Sequence, residues 1–137
     1  MIKVCMVGYS YDYDCRINRY IDSLKESGNK ADILCLQNPV GKELKYLNDS
    51  NVYKISTPRF PKNKLGYIFE YGFSFLSFSL QLIKLFLKYR YDVIHIHNIP
   101  DFLIFTAIIP KILGDKLILD VDDPMPEVYM SKYGSKK

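Results

Sequence analysis

Residues 91–127, YDVIHIHNIPDFLIFTAIIPKILGDKLILDVDDPMPE, decide the fold of this chain. Two short apolar runs flank a longer segment that begins at Pro100 and ends at Gly114, a pattern typical of strand, helix and strand. Both strands end in polar residues, which are His97 and Asn98 on the first and Asp120, Asp122 and Asp123 on the second. Open α/β sheets bind ligands beyond the carboxyl ends of their strands, so a functional site is expected there.

The same alternation of strands and helices continues through the rest of the chain. Strands are predicted at residues 2–7, 31–36, 52–56, 92–97 and 116–121, and helices at residues 14–26, 65–89 and 100–113. This alternation predicts an α/β, Rossmann-like parallel sheet of five strands in the order 3-2-1-4-5, with helices on both faces. Residues 1–137 are expected to form a single domain, because two full domains do not fit in this length.

Composition and charge exclude several classes of protein. The net charge of +4 is mild and the basic residues are scattered, so nucleic-acid binding is not expected. The three cysteines lack the C-x-x-C spacing of a metal site and suit reduced thiols in the cytoplasm, with Cys5 and Cys35 buried in strands. The apolar start is too short for a secretory signal.

The long helix predicted at residues 65–89 has an unusually wide apolar surface. Its uncharged stretch, residues 71–83, is shorter than the about 20 apolar residues that a membrane span needs. Two interpretations remain open: the helix is buried between the sheet and its neighbours, or part of it contacts a membrane interface or a second protein. The basic residues that would face anionic headgroups are Lys62, Lys64, Lys84, Lys88 and Arg90.

The loop after the first strand is a candidate anion site. Gly8, Tyr9 and Ser10 precede the first helix, whose N-terminal amides favour an anion. Only one glycine is present, so the loop lacks the fingerprint of a dinucleotide site, and the chain has no Walker sequence. Arg16 belongs either to ordinary helix-start chemistry or to the rim of the crevice, where its guanidinium would bind an anion.

Two histidines and two aspartates share faces of adjacent candidate strands. His97 and Asp122 would converge at the carboxyl edge if those strands are neighbours. His95 lies deeper in its strand and is expected to be a core histidine. His97, Asp120 and Asp122 together have the chemistry of a divalent metal site, but we assign no metal from the sequence.

These motifs together resemble a known family. KVCMVGYS at residues 3–10, DCRINRYIDSLKESGNKADILCL at residues 14–36, and YDVIHIHNIPDFLIF followed by LILDVDDPMPE are similar to the N-terminal half of a family 4 glycosyltransferase. Such enzymes have the GT-B fold of two Rossmann-like domains. The resemblance implies that this chain corresponds to most of the acceptor-side domain.

The resemblance also assigns roles to individual residues. It places Gly8, Tyr9 and Arg16, together with His97, Asn98 and Asp123, in acceptor binding, and it makes Asp122 the candidate catalytic residue. Relatives carry a histidine at that position, near the reacting sugar. An aspartate with an ordinary pKa of about 3.9 is a weak base at neutral pH unless burial raises that pKa.

The resemblance further implies a partner and a location. The sequence stops soon after DPMPE, so a UDP- or GDP-sugar donor is expected only with a C-terminal glycosyltransferase half, and no cofactor is expected on this chain alone. The implied acceptor is a polysaccharide or lipid-linked glycan at the cytoplasmic face of the membrane. The alternative is a non-catalytic interaction module that docks a membrane, a protein or a second copy of itself.

Overall fold

The computed structural model describes residues 1–9, 15–37, 50–58, 60–61, 63–97, 101–121 and 130. Its strands are β1 Lys3–Gly8, β2 Lys30–Leu36, β3 Val52–Ile55, β4 Val93–His97 and β5 Lys116–Asp120. Its helices are α1 Cys15–Glu26, α2 Lys64–Tyr89 and α3 Ile108–Ile112, with a 3-10 helix at Asp101–Ala107. All strand pairs are parallel and the order is β3-β2-β1-β4-β5, which confirms the predicted topology.

Two apolar clusters cover the two faces of the sheet. On one face α1 contributes Ile17 and Ile21, which lie among the inward side chains of β1 and β2. On the other face α2 contributes Phe78 and Leu82, which pack over β1, β2 and β4. Helices therefore lie on both faces, as predicted. Because both faces of the sheet are covered, its strands are buried, which agrees with their continuous apolar sequences. Cys5 and Cys35 are both buried, also as expected.

The ends of α1 and α2 follow from local chemistry. Gly28 has a φ of 72°, and its left-handed conformation ends α1 where the sequence predicts a stop. Asn63 caps α2, because its side chain accepts a hydrogen bond of 2.7 Å from the backbone N–H of Gly66. The predicted long helix at residues 65–89 is thus confirmed to within one residue.

The helix predicted at residues 100–113 is only partly correct. The structure has the 3-10 helix at Asp101–Ala107 and then the short helix α3. Pro110 explains the break, since a proline inside a continuous α-helix clashes with the carbonyl four residues earlier. Restarting the helix at Ile108 places Pro110 in its first turn, where that clash does not arise. The Thr106 hydroxyl also donates a 2.6 Å hydrogen bond to the Leu103 carbonyl.

Only one side of α2 packs against the sheet. Its buried residues are Gly66, Ser74, Phe78, Leu82, Leu85 and Phe86. Its opposite side, which we call the outer α2 face, exposes Leu65, Phe69, Phe73, Leu76, Leu80 and Leu87. The interpretation that α2 is enclosed on all sides is therefore wrong for the described residues. No helix in the described ranges is long and apolar enough to cross a bilayer.

Candidate functional site

The carboxyl ends of the strands meet at one edge of the sheet. Strand register places His97 beside Asp120, and Gly8 beside Cys35. The polar residues that follow or end these strands are thereby gathered at a single edge, where ligands of parallel α/β sheets bind. Two groups of side chains lie along this edge, one on the α1 face of the sheet and one beside α2.

The group on the α1 face is built around His97. This residue is 2% exposed, and its Nδ1 lies 3.3 Å from Oδ2 of Asp120, which is 22% exposed. The Tyr20 hydroxyl lies 3.5 Å from the same carboxylate oxygen, and the Tyr20 ring packs against the rings of His95 and His97. A tyrosine from α1, two histidines from β4 and an aspartate from β5 therefore form one cluster.

His95 is half-buried in this cluster and is not enclosed in the core, which corrects the sequence-based expectation. Its ring centroid lies 4.3 Å from that of His97. Burial lowers the pKa of His95 below its ordinary value, and the nearby Asp120 carboxylate opposes this shift in part. The imidazole of His95 is therefore neutral at pH 7, with one ring nitrogen able to accept a hydrogen bond or bind a ligand.

Gly8 and Arg16 also lie at this end of the molecule. A Cβ added at Gly8 would lie 3.2 Å from Cδ1 of Ile17 and 3.9 Å from Cβ of His97, so glycine lets β1 and α1 approach closely beside the cluster. Arg16 lies in the first turn of α1 and is half-buried. Its predicted contact with an anion stays a prediction.

The second group surrounds a cavity of about 400 Å³ beside α2. The Tyr9 ring stacks on Phe78 with 6.2 Å between centroids, and its hydroxyl lies 3.4 Å from that of Ser74. Burial raises the pKa of Tyr9, although the Ser74 hydrogen bond opposes this, so the phenol stays protonated. Among the described residues, the cavity is lined by Tyr9, Leu36, Gln37, Ser56, Thr57, Pro58 and Glu70.

Three of the predicted site residues, Asn98, Asp122 and Asp123, lie outside the described residues. The predicted convergence of His97 with Asp122 therefore stays a prediction. What the structure brings to His97 is Asp120, its register partner on β5.

Sequence reasoning missed Tyr20 and most of the cavity lining. Tyr20 lies three residues after Ile17, on the flank of the buried stripe of α1, and this spacing is the only sequence signal for it. Gln37 and Ser56 directly follow β2 and β3. The rule that singled out His97, polar residues at carboxyl ends of strands, would also have found them. Glu70 enters the cavity from α2, which only the tertiary packing reveals.

Comparisons with known proteins agree with this architecture. Residues 3–121 match the family model described as glycosyl transferase 4-like. No curated protein sequence matches the chain. Among solved structures, MurG from Acinetobacter baumannii is similar with a TM-score of 0.58 and 14% identity, covering 96% of this chain and 39% of that one. The glycosyltransferase of kitacinnamycin is similar with a TM-score of 0.64 and 14% identity, covering 96% and 33%.

A domain of a protein named as a hydrogenase shares the same fold. The C-terminal domain of PF1911 hydrogenase from Pyrococcus furiosus has a TM-score of 0.69 and 14% identity, covering 88% of this chain and 91% of that one. At such identities the structural likenesses establish the fold only. The chain spans 39% of the length of MurG and 33% of the length of the kitacinnamycin glycosyltransferase. Since the family model matches most of its length, the chain belongs to the glycosyl transferase 4-like family.

Proposed function

We propose that this chain is the acceptor-binding N-terminal domain of a glycosyltransferase. It would transfer a sugar from a UDP- or GDP-sugar to a polysaccharide or lipid-linked glycan. The observation that carries the acceptor role is the cavity of about 400 Å³ at the carboxyl edge of the sheet. Family membership supports the transferase class.

The lining of the cavity suits a molecule rich in hydroxyl groups. Gln37 offers an amide, Ser56 and Thr57 offer hydroxyls, and Glu70 offers a carboxylate that accepts hydrogen bonds. Tyr9 adds an aromatic ring, which packs well against the apolar face of a sugar. This mixture of a few polar groups with an apolar wall is typical of sites for small polar ligands.

The donor sugar would be bound by a C-terminal glycosyltransferase half. The chain spans about a third of the solved glycosyltransferases it resembles, so a complementary domain is proposed to supply the facing wall of the cleft. Asp122, at the position where the family resemblance places a histidine, is the proposed catalytic residue. His97, Asn98 and Asp123 are the proposed acceptor contacts near it.

Acceptor binding can be tested on this chain alone. Short-chain alkyl glycosides, titrated into ¹⁵N-labelled protein, should shift the amide signals of residues around the cavity. Tyr9→Ala and Glu70→Gln should each weaken binding at least about 10-fold, because each removes a contact worth roughly 1.5 kcal/mol. Glu26→Gln, at the end of α1 and away from the cavity, is the matched control. Equal affinity in all variants would exclude the cavity as the acceptor site.

Transfer itself needs a second experiment. The chain alone, with UDP-glucose, UDP-galactose or GDP-mannose and the same glycosides, is expected to give no product. Activity should appear when a C-terminal glycosyltransferase half is added, and Asp122→Ala should abolish it. Binding of glycosides without transfer in any combination would support the second candidate, a non-catalytic interaction module.

One observation favours that second candidate, and it is compatible with the first. The 3-10 helix and α3 both contact α2, and they expose further apolar residues, which are Phe105, Ile108, Ile109 and Ile112. Exposed basic residues also lie on these helices, which are Lys64, Lys84 and Lys88 on α2, Arg90 at its end and Lys111 on α3. Such a surface suits the interface of an anionic membrane, with apolar side chains in the acyl boundary and basic side chains at the headgroups. We propose peripheral attachment at the cytoplasmic face through this helix.

A further inference from the structure

The His95, His97 and Asp120 cluster has a feature that glycan binding does not require. Two imidazoles, two residues apart on β4, point to the α1 face of the sheet, and the carboxylate of β5 lies in register with the second. One ligand-type atom from each of the three residues lies within 4.8 Å of the other two. The three groups are therefore close enough together to be candidate ligands of one ion.

The distance between His97 and Asp120 decides between two interpretations. A charge-assisted hydrogen bond between nitrogen and carboxylate oxygen has a length of about 2.7–2.9 Å. Two ligands on one tetrahedral ion, with metal–ligand bonds of about 2.0–2.1 Å, lie roughly 3.3–3.4 Å apart. The observed Nδ1 to Oδ2 distance is 3.3 Å, which matches the edge of a metal tetrahedron better than a direct hydrogen bond.

His95 supports the same interpretation. A simple His97–Asp120 pair needs no second imidazole, yet the His95 ring lies with its centroid 4.3 Å from that of His97. Tyr20 packs on both rings and places its hydroxyl 3.5 Å from Asp120 Oδ2. An outer partner of this kind orients the ligating groups of a metal site. The partial exposure of His95 and Asp120 leaves a path for an ion to enter.

We propose that His95, His97 and Asp120 bind one divalent transition-metal ion. Two imidazole nitrogens and one carboxylate oxygen favour Zn²⁺ and Co²⁺ over Mg²⁺ and Ca²⁺, which prefer oxygen ligands. Three protein ligands leave a fourth position for water or for an oxygen of a bound ligand. Metal binding does not depend on the proposed acceptor site, because the bound ion itself is measured.

The test uses the full chain, freed of any affinity tag and stripped of metal with a chelator. Zn²⁺ titrated by calorimetry should bind at one ion per chain, and Co²⁺ should give the visible absorption of a tetrahedral site. His95→Gln and Asp120→Asn should each weaken Zn²⁺ binding at least about 100-fold, since each removes a direct ligand. Asp22→Asn, on the exposed side of α1, is the control and should bind like the original protein.

Thermal unfolding identifies variants that do not fold. Zn²⁺ should raise the Tm of the original chain and of Asp22→Asn, and should leave the Tm of folded His95→Gln and Asp120→Asn unchanged. The proposal is overturned if Zn²⁺ at about 100 μM neither binds nor raises the Tm, or if the His95→Gln variant binds Zn²⁺ as tightly as the original. Loss of metal binding with intact glycoside binding would separate this site from the acceptor cavity.

Discussion

A side chain at Gly66 would collide with the carbonyl oxygen of Pro61, because the first turn of α2 folds directly onto that oxygen. The same turn is capped by Asn63, and it leads to Glu70 in the wall of the cavity. Gly66→Ala should therefore destabilise the protein by about 2–3 kcal/mol, since the clash involves backbone that cannot move freely. Urea denaturation followed by far-UV circular dichroism measures this change.

Gly72 provides the matched control for that substitution. It lies in the middle of the same helix, and an added Cβ meets nothing within 4 Å. Gly72→Ala should stabilise the protein by up to about 1 kcal/mol, because alanine has the higher helix propensity. If both variants unfold at the same urea concentration as the original chain, the predicted clash between a side chain at position 66 and the Pro61 carbonyl is contradicted.

Much of the fold could be predicted because each strand and helix has its own local signal. Strands buried on both faces appear as continuous apolar runs, and Gly28 and Gly114 adopt the positive φ that their positions as stop signals predict. The interruption of the helix before α3 was not predicted, although Pro110 could have indicated it. Its effect depends on where the helix starts, which tertiary packing sets.

The site was only half predictable for a related reason. His97 and Gly8 are at the ends of strands, so topology alone places them at the carboxyl edge. Register decides that His97 meets Asp120, and register cannot be read from a single strand. Tyr20 and Glu70 reach the edge from helices whose rotation depends on packing against the sheet. Their contributions therefore appear only in the structure.

The opposite edge of the sheet carries a partly buried hydrogen bond that should matter for stability. The Tyr91 hydroxyl donates a 2.7 Å hydrogen bond to Oδ2 of Asp32, and burial raises the pKa of Tyr91, which keeps the phenol protonated. Tyr91→Phe should cost about 1 kcal/mol of stability, because the half-buried Asp32 carboxylate loses a donor. Tyr67→Phe, at an exposed tyrosine of α2, should change stability little in the same denaturation experiment. Equal stability of both variants would contradict a role for this hydrogen bond.

Asp115 should give the protein a measurable pH dependence. Burial raises the pKa of Asp115 above its ordinary 3.8, Asp92 adds to this, and Arg90 opposes it. The folded state then binds the proton more tightly than the unfolded state, so this group lowers stability once pH rises through the unfolded pKa. Asp115→Asn should raise the Tm at pH 7. The gain in free energy of unfolding should be less than about 1 kcal/mol, because the carboxyl is partly solvated.

The sign of that effect is checked by lowering the pH. Below the unfolded pKa of 3.8 the original carboxyl is protonated in both states, so the advantage of Asp115→Asn should disappear. Asp22→Asn, at an exposed position on α1, should show no comparable gain at either pH. A benefit of Asp115→Asn that persists unchanged at low pH would mean that charge burial is not its cause.

Membrane attachment through the outer α2 face gives the last prediction. The original chain should sediment with vesicles of phosphatidylglycerol, less so as salt rises, because the exposed basic residues of α2 and α3 would bind anionic headgroups. Leu76→Gln combined with Leu80→Gln should reduce binding at least about 10-fold, since two exposed leucines lose their transfer into the interface. Glutamine keeps the helix propensity of leucine, so the fold should survive.

The control is Ile2→Gln, which replaces an exposed apolar residue at the amino-terminal edge of the sheet and should sediment like the original. If all three proteins stay in the supernatant at low salt, the face meets another protein or a second copy of this chain instead, which the molar mass in solution would reveal.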